Sequence, residues 1–311
     1  MNTKRVDLSI VVVNWNTREL LAQCLQSLED TVRESSFEVW VVDNGSSDGS
    51  VAMVQERFPW THVIANAKNI GFVRANNQAI ARCQGHYVLL LNSDTEVLPG
   101  ALDEMVRFMD AHPSAGVAGA RLLNPDGTFQ ASHSPFPTLW GEFLMLSGLG
   151  RRFVRPRYPS YGPEVEKGAQ QVDYVEGACL LVRREAVDEV AGLDEYVFMY
   201  AEDVDWCYRF AQAGWEVWYL PQVTIVHYGG QSSKQSQGCM EAELYRSRIY
   251  FFRKHYGLIQ SQLLETLIYL ITPVKWVAHR IVRLLSGGAK GRNVIGWHEL
   301  RMVLNSGHEC R

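Results

Sequence analysis

The run YVLLLNSD, residues 87–94, closes an apolar stretch on Asn92, Ser93 and Asp94. Polar groups interrupt apolar sequence at three other places: Asp43 after FEVWVV, the pair Glu202 and Asp203 after FMYA, and His227 after VTIV. A carboxylate at position 94, with Asn92 and Ser93 beside it, suits a divalent cation that bridges two phosphates. Mg²⁺ and Mn²⁺ often take only one or two oxygen ligands from the protein and the rest from phosphate and water. The competing role for Asp94 is the N-cap of the helix that follows Pro99. Asp43 could accept the imide N–H of a uracil or thymine ring, or form an Asx turn in DNGSSDGS. Asp203, with Glu202, could deprotonate a hydroxyl as a general base, but acids at a helix N-terminus are also stabilised by the helix dipole. Asp205 and Arg209 have the spacing of a surface ion pair. His227 precedes a glycine-rich turn, which either points its imidazole into a cleft shared with Asp94 or leaves it a structural strand-end residue.

The elements that must position these groups alternate. Val6 to Val13, Phe37 to Val42, His62 to Ala65 and His86 to Leu91 read as strands. Leu20, Leu21, Cys24, Leu25 and Leu28 repeat at helical spacing, NIGFVRANNQAIARC reads as a turn and helix, and Pro99 suits the first turn of another helix. Repeated βα order predicts a Rossmann-like, mainly parallel central sheet with helices on both faces, whose ligands bind beyond the strands' carboxyl ends. From about Arg121 to Gln171, Pro, Gly, Arg and aromatic residues break the rhythm, as an insertion or variable loop region would. Regular structure resumes at VDYVEGACLLVRREAV and continues through a helix that opens at the 202–205 acids and stops at Gly214. Short strands are expected at Trp215 to Tyr219 and Thr224 to His227.

The ordered pieces SIVVVNWN, VVDNGSSDGS, NIGFVRANNQAI, LLLNSDTEV, VEGACLLVRREA, FMYAEDVDWCYR and VHYGGQS resemble the inverting family 2 glycosyltransferases of the GT-A fold, and among them bacterial rhamnosyltransferase-like members. The resemblance covers roughly residues 8 to 233. It implies that Val13, Asn14 and Asp43 hold the base and ribose and that Asn69 and Gly71 line the nucleotide pocket. NSD stands where the family has DxD, with Asn92 and Ser93 at the nucleotide and Asp94 on Mg²⁺ or Mn²⁺; Asn92 departs from the family's first Asp. His227 would complete the metal shell, Asp203 would be the base, and Glu202 would support it or touch the acceptor. The implied reaction moves a sugar, L-rhamnose from dTDP-rhamnose by resemblance or a hexose from UDP, to a glycan or polyprenyl-diphosphate-linked acceptor in cell-surface polysaccharide synthesis.

The chain has 311 residues and a net charge of -4, but from Ala242 onward 11 Lys and Arg face 4 Asp and Glu. The expected division is a glycosyltransferase domain over 1–239 and a basic helical extension over 240–311. Leu, Ile, Val and Trp lie beside Lys275, Arg280 and Arg283, and LWGEFLMLSGLGRRF adds a second apolar stretch ending in Arg. Residues 139–158 and 260–285 are therefore expected to touch a membrane surface or to form a homodimer contact. No nucleic-acid module is recognisable. Six scattered cysteines without CxxC spacing and no signal-peptide pattern point to a reduced, cytoplasmic protein, at the inner membrane face if the tail docks. A dinucleotide oxidoreductase is disfavoured by the missing G-x-G-x-x-G, and a sugar-nucleotide pyrophosphorylase by NWNTREL where a glycine-rich basic loop should stand. A non-catalytic glycan-binding protein is the remaining alternative.

Overall fold

Val and Leu runs without polar alternation form the centre of the sheet because both of their faces are covered. A computed structural model describes residues 6–155, 157–162, 165–230 and 237–285. Along the first half, β1 (Leu8–Asn14), α1 (Arg18–Thr31), β2 (Phe37–Asp43), α2 (Ser50–Arg57), β3 (His62–Ala65), α3 (Phe72–Ile80) and β4 (Tyr87–Asn92) alternate as the sequence predicts. A short β5 (Thr95–Val97) precedes α4 (Ala101–Ala111) and β6 (Ala115–Leu123). After β7 (His133–Ser134), α5 (Leu139–Ser147), β8 (Gln170–Gln171) and β9 (Tyr174–Val175) come β10 (Cys179–Arg183), α6 (Arg184–Val190), α7 (Glu202–Gln212) and β11 (Glu216–His227). The chain continues through α8 (Gln237–His255) and α9 (Leu258–Leu285).

Among the described residues the main sheet runs β3-β2-β1-β4-β10-β6-β11-β5, with β8 paired to β11. The β3-β2-β1-β4 half is parallel and β11 is parallel to β6, whereas β10 runs antiparallel to both β4 and β6. Alternate residues Leu8, Ile10 and Val12 join Leu21, Leu25 and Leu28 of α1 and Met105 of α4 in one buried cluster. The intervening side chains face the opposite side, where α3 packs on β1 and β2.

Two details differ from the sequence reading. The two strands expected at Trp215 to Tyr219 and Thr224 to His227 are one strand, β11, which starts at Glu216 and whose register against β6 shifts between Leu220 and Thr224, around Pro221. Proline cannot donate to a ladder, so a bulge is where a long strand accommodates it. Pro99 stands outside the helix, before Gly100, which caps α4 in a left-handed conformation with φ 75°.

The chain forms two compact units, one of residues 1–136, 160–198 and 202–235, the other of 137–159, 199–201 and 236–311. In the second, Glu142 of α5 is buried and paired to Arg248 of α8 at 3.0 Å. Burial pushes the Glu142 carboxyl above its ordinary range, and the Arg248 guanidinium opposes that shift. Removing the cation leaves a buried charge, so Arg248→Met should destabilise this unit by about 3–5 kcal/mol, measured as a lowered denaturation midpoint. Because the folded-state pKa is raised, stability contributed by protonated Glu142 is present below the ordinary carboxylate range and is lost as pH rises through the raised value. The deficit of the variant should therefore widen from pH 4 to pH 7, about the ordinary carboxylate range and above it.

Candidate active site

The carboxyl ends of β2, β1 and β4 lie side by side, since Asn14 pairs with Asp43 and Val13 with Asn92. This places the polar residues that end three apolar strands at one edge. Asn14 donates from Nδ2 to Asp43 Oδ1 at 2.9 Å and to Ser46 Oγ at 3.1 Å, and accepts from the Thr17 hydroxyl at 2.7 Å. With its proton committed to Asn14, Thr17 must accept from Ser93, whose Oγ lies 3.0 Å away. Asp43 also accepts the Ser46 amide at 2.8 Å, so its turn-forming role is present. Asn69 Oδ1 accepts from the Gly71 amide at 2.9 Å and from Asn44 at 3.2 Å, and Gly71 O accepts from Asn44 as well. Gly71 has φ +94°, and an added Cβ would lie 2.7 Å from the ring of Phe198. That close approach is reason enough for a glycine there.

Asp94 is not the N-cap of α4, because β5 intervenes and Gly100 occupies the cap. It is buried at 6% exposure. β5 pairs antiparallel with the end of β11, and this brings His227 Nε2 to 3.2 Å from Asp94 Oδ1 and 3.3 Å from Asn92 Nδ2. The other ring nitrogen, Nδ1, faces Gln130 Oε1 at 2.6 Å. An amide oxygen only accepts, so Nδ1 carries a proton, and Nε2 is the nitrogen that faces the carboxylate. A carboxylate oxygen and an imidazole nitrogen 3.2 Å apart are, with the imidazole neutral, a donor set that fits Mn²⁺, and Mg²⁺ less well. Among the described residues no cluster of three or more His, Cys, Asp or Glu converges, so further ligands would come from diphosphate and water.

Asp203 is the second residue of α7. Its Oδ2 accepts the Gly177 amide at 2.9 Å and its Oδ1 the Val204 amide at 2.8 Å, which fixes the carboxylate. Tyr200 and Ala201, just before the helix, both adopt positive φ, 70° and 59°. Non-glycine residues hold such conformations only where surroundings impose them. Glu202 is buried at the start of the helix. Asp205, read as part of a surface pair, is in fact buried and bonded to Arg209 at 2.8 Å. Gly177 and its neighbour Ala178 connect two parts of the site: Ala178 O accepts the Asn92 amide at 3.1 Å, while Gly177 N holds Asp203. Burial pushes the thiols of Cys24 and Cys179 up to about 12 and that of Cys83 to about 11, so these are poor thiolate nucleophiles. Cys239 and Cys310, like Gln231 and Ser232 of the VHYGGQS stretch, lie outside the residues whose side chains are described.

The profile of the family described as Glycosyl transferase family 2 matches residues 9–191. The N-acetylglucosaminyl-diphospho-decaprenol L-rhamnosyltransferase of Mycobacterium tuberculosis is 30% identical over 275 residues, 84% of this chain and 89% of that one. Among solved structures, GalNAc-T7 with UDP, GalNAc and Mn²⁺ superposes with TM-score 0.57 at 13% identity, covering 81% of this chain and 48% of the other. The mannosyltransferase PcManGT of Pyrobaculum calidifontis, in complex with GDP-Man and Mn²⁺, gives 0.54 at 16% identity over 92% and 80%. These two structural likenesses concern the fold, which is that of GT-A glycosyltransferases. The profile spans more than half the chain and the rhamnosyltransferase aligns over most of it, so the protein belongs to glycosyl transferase family 2 and is a glycosyltransferase.

Proposed function

We propose that the enzyme transfers L-rhamnose from dTDP-rhamnose, with inversion, to a polyprenyl-diphosphate-linked glycan in cell-surface polysaccharide synthesis. The observation that carries a metal-assisted transfer is the facing of Asp94 and His227 Nε2 at 3.2 Å, beside the strand ends that carry Asn14 and Asp43. The similarity to the mycobacterial rhamnosyltransferase supports the donor sugar and the lipid-linked acceptor. Asp43 and Asn14 orient the base and ribose together with Val13, and Asn69 and Gly71 close the nucleotide pocket. Asn92 and Ser93 sit at the diphosphate. Asp94 and His227 would hold Mn²⁺ or Mg²⁺, which supplies positive charge against the negative charge that grows on a departing diphosphate. Asp203, held by two backbone amides, accepts the proton of the acceptor hydroxyl as that oxygen attacks the anomeric carbon from the face opposite the leaving group. Glu202 supports that carboxylate at the acceptor side. The test is donor hydrolysis with Mn²⁺ across dTDP-rhamnose, UDP-glucose, UDP-galactose, UDP-galactofuranose and UDP-N-acetylhexosamines. Turnover of the dTDP sugar above the rest is expected, and preference for a UDP sugar would overturn the donor assignment.

The second unit carries the surface proposed to meet the acceptor's membrane. Leu264, Ile268 and Thr272 bury one face of α9, whereas Ile259, Leu263, Leu270, Val274 and Val277 are 49–74% exposed. At 100° per residue these five share one stripe, about 27 Å long at 1.5 Å per residue. Trp140 and Phe153 are also exposed, and Phe153 follows exposed Arg151 and Arg152. No helix among the described residues is long and apolar enough to cross a membrane; we read the stripe as lying on an anionic lipid surface at the inner face. Arg280, Arg283 and residues 286–311 lie outside the described side chains. Wild type should float with phosphatidylglycerol vesicles and Leu263→Glu/Leu270→Glu should not. A double variant that floats equally well, or a wild type that dimerises through this stripe without binding lipid, would remove the membrane assignment.

A further inference from the structure

The segment after β6, expected to be an irregular insertion, begins with a tight hairpin whose side chains point in one electrical direction. Asn124-Pro125-Asp126-Gly127-Thr128 closes with the Gly127 amide on Asn124 O at 2.9 Å and the Asn124 amide on Thr128 O at 2.8 Å. Pro in the turn and Gly127 at φ +78° suit this loop. The returning strand is pinned by the Gln130 amide on Leu122 O at 2.9 Å.

From the tip inward, each hydrogen bond fixes the sense of the next. Asp126 Oδ1 accepts the Thr128 hydroxyl at 2.6 Å and the Thr128 amide at 2.9 Å; these bonds hold the Asp126 carboxyl below its ordinary range, so it is ionised and only accepts. Thr128 Oγ1, its proton spent, accepts from Asn124 Nδ2 at 2.9 Å. Asn124 Oδ1 then accepts from Gln130 Nε2 at 3.0 Å, and His227 O accepts from the same amide nitrogen at 3.4 Å. Gln130 Oε1 is thereby turned to His227 Nδ1, 2.6 Å away.

We propose that Gln130 is a positioning residue that holds His227 as its Nδ1–H tautomer, so that Nε2 presents a lone pair to a divalent cation shared with Asp94. The proposal rests on the reading of Asp94 and His227 as a metal pair. Gln130 touches no reacting atom; it acts through the imidazole. Without it the ring can place its proton on Nε2 and donate to Asp94 at 3.2 Å, a hydrogen bond that would occupy both metal ligands at once. Partners of this kind, bonded to the far nitrogen of a ligating histidine, change metal affinity or activity by about 10–100-fold when removed.

The test combines imidazole ¹H–¹⁵N long-range correlation, which reports the His227 tautomer, with Mn²⁺ binding followed by the free-ion paramagnetic resonance signal, on the full chain and with Mn²⁺ alone. Wild type should show the Nδ1–H form. Gln130→Leu should show Nε2–H or a mixture and lose about 10–100-fold in Mn²⁺ affinity, and Gln130→Glu, which keeps an acceptor, should restore most of it. A wild-type ring in the Nε2–H form overturns the proposal even if no variant folds. So does a Gln130→Leu protein with unchanged tautomer and affinity. If Asp94→Ala abolishes Mn²⁺ binding while Gln130→Leu does not, Gln130 falls and the metal pair stands. If Asp94→Ala, His227→Ala and wild type bind Mn²⁺ alike, the metal pair itself falls.

Discussion

Asp203→Asn is expected to lower transfer by about 10²–10⁴-fold, the range a positioned general base contributes, while leaving dTDP or UDP affinity within a few-fold of wild type. The amide keeps the size of the carboxylate and can still accept the Gly177 amide through its oxygen, so position is nearly retained. What is lost is the capacity to take a proton from the acceptor hydroxyl. Nucleotide contacts are assigned to Asn14, Asp43 and their neighbours on other strands, so calorimetric binding should report an intact donor site. The separation matters because a fold defect would depress both readouts together. Turnover within a few-fold of wild type would remove Asp203 as the base and direct attention to Glu202, the residue before it on the same helix.

The other large effect is expected at position 94. Asp94→Asn should reduce Mn²⁺-dependent turnover by about 10²–10³-fold, the scale on which loss of one preorganised charge-stabilising group is felt, and excess Mn²⁺ should recover only part of it. Asp94 is the carboxylate facing His227, and Asn92 is already an amide where the family has an acid; a second amide would leave the pair without its anion. Measurement of kcat over a Mn²⁺ series, with a chelator control, checks this. Full activity of the variant in chelator would show that the leaving diphosphate is stabilised by something else.

Strand existence and the strand-end position of Asp43, Asn92 and Asp94 were legible in the sequence, because uninterrupted Val and Leu runs have one physical reading in a βα series. Their lateral order was not. The pairing of Asn14 with Asp43 and of Val13 with Asn92 depends on β1 lying between β2 and β4, and nothing local in SIVVVNWN specifies its neighbours. Asp94 is ambiguous between ion and helix cap in the sequence, and β5 resolves it by falling among the six residues between Asp94 and α4. Gln130 and Asn124 escaped notice because composition marked their region as irregular, although NPDG is a turn signal and could have placed a hairpin there. Thr17 was overlooked for a related cause: its hydroxyl matters only through Asn14 and Ser93, which are far apart in sequence from each other. Interactions between residues 76 or 97 positions apart carry no periodicity for a sequence to reveal.

The reversed direction of β10 has a mechanical corollary. A strand inserted head-to-tail among parallel neighbours offers its entrance, rather than its exit, to the edge where the others finish. Here that entrance is Gly177 and Ala178, one gripping the proposed base and the other the backbone beside the proposed metal site. Two adjoining peptide planes thus link the proposed base to the backbone beside the proposed metal site, through one hydrogen bond at each end.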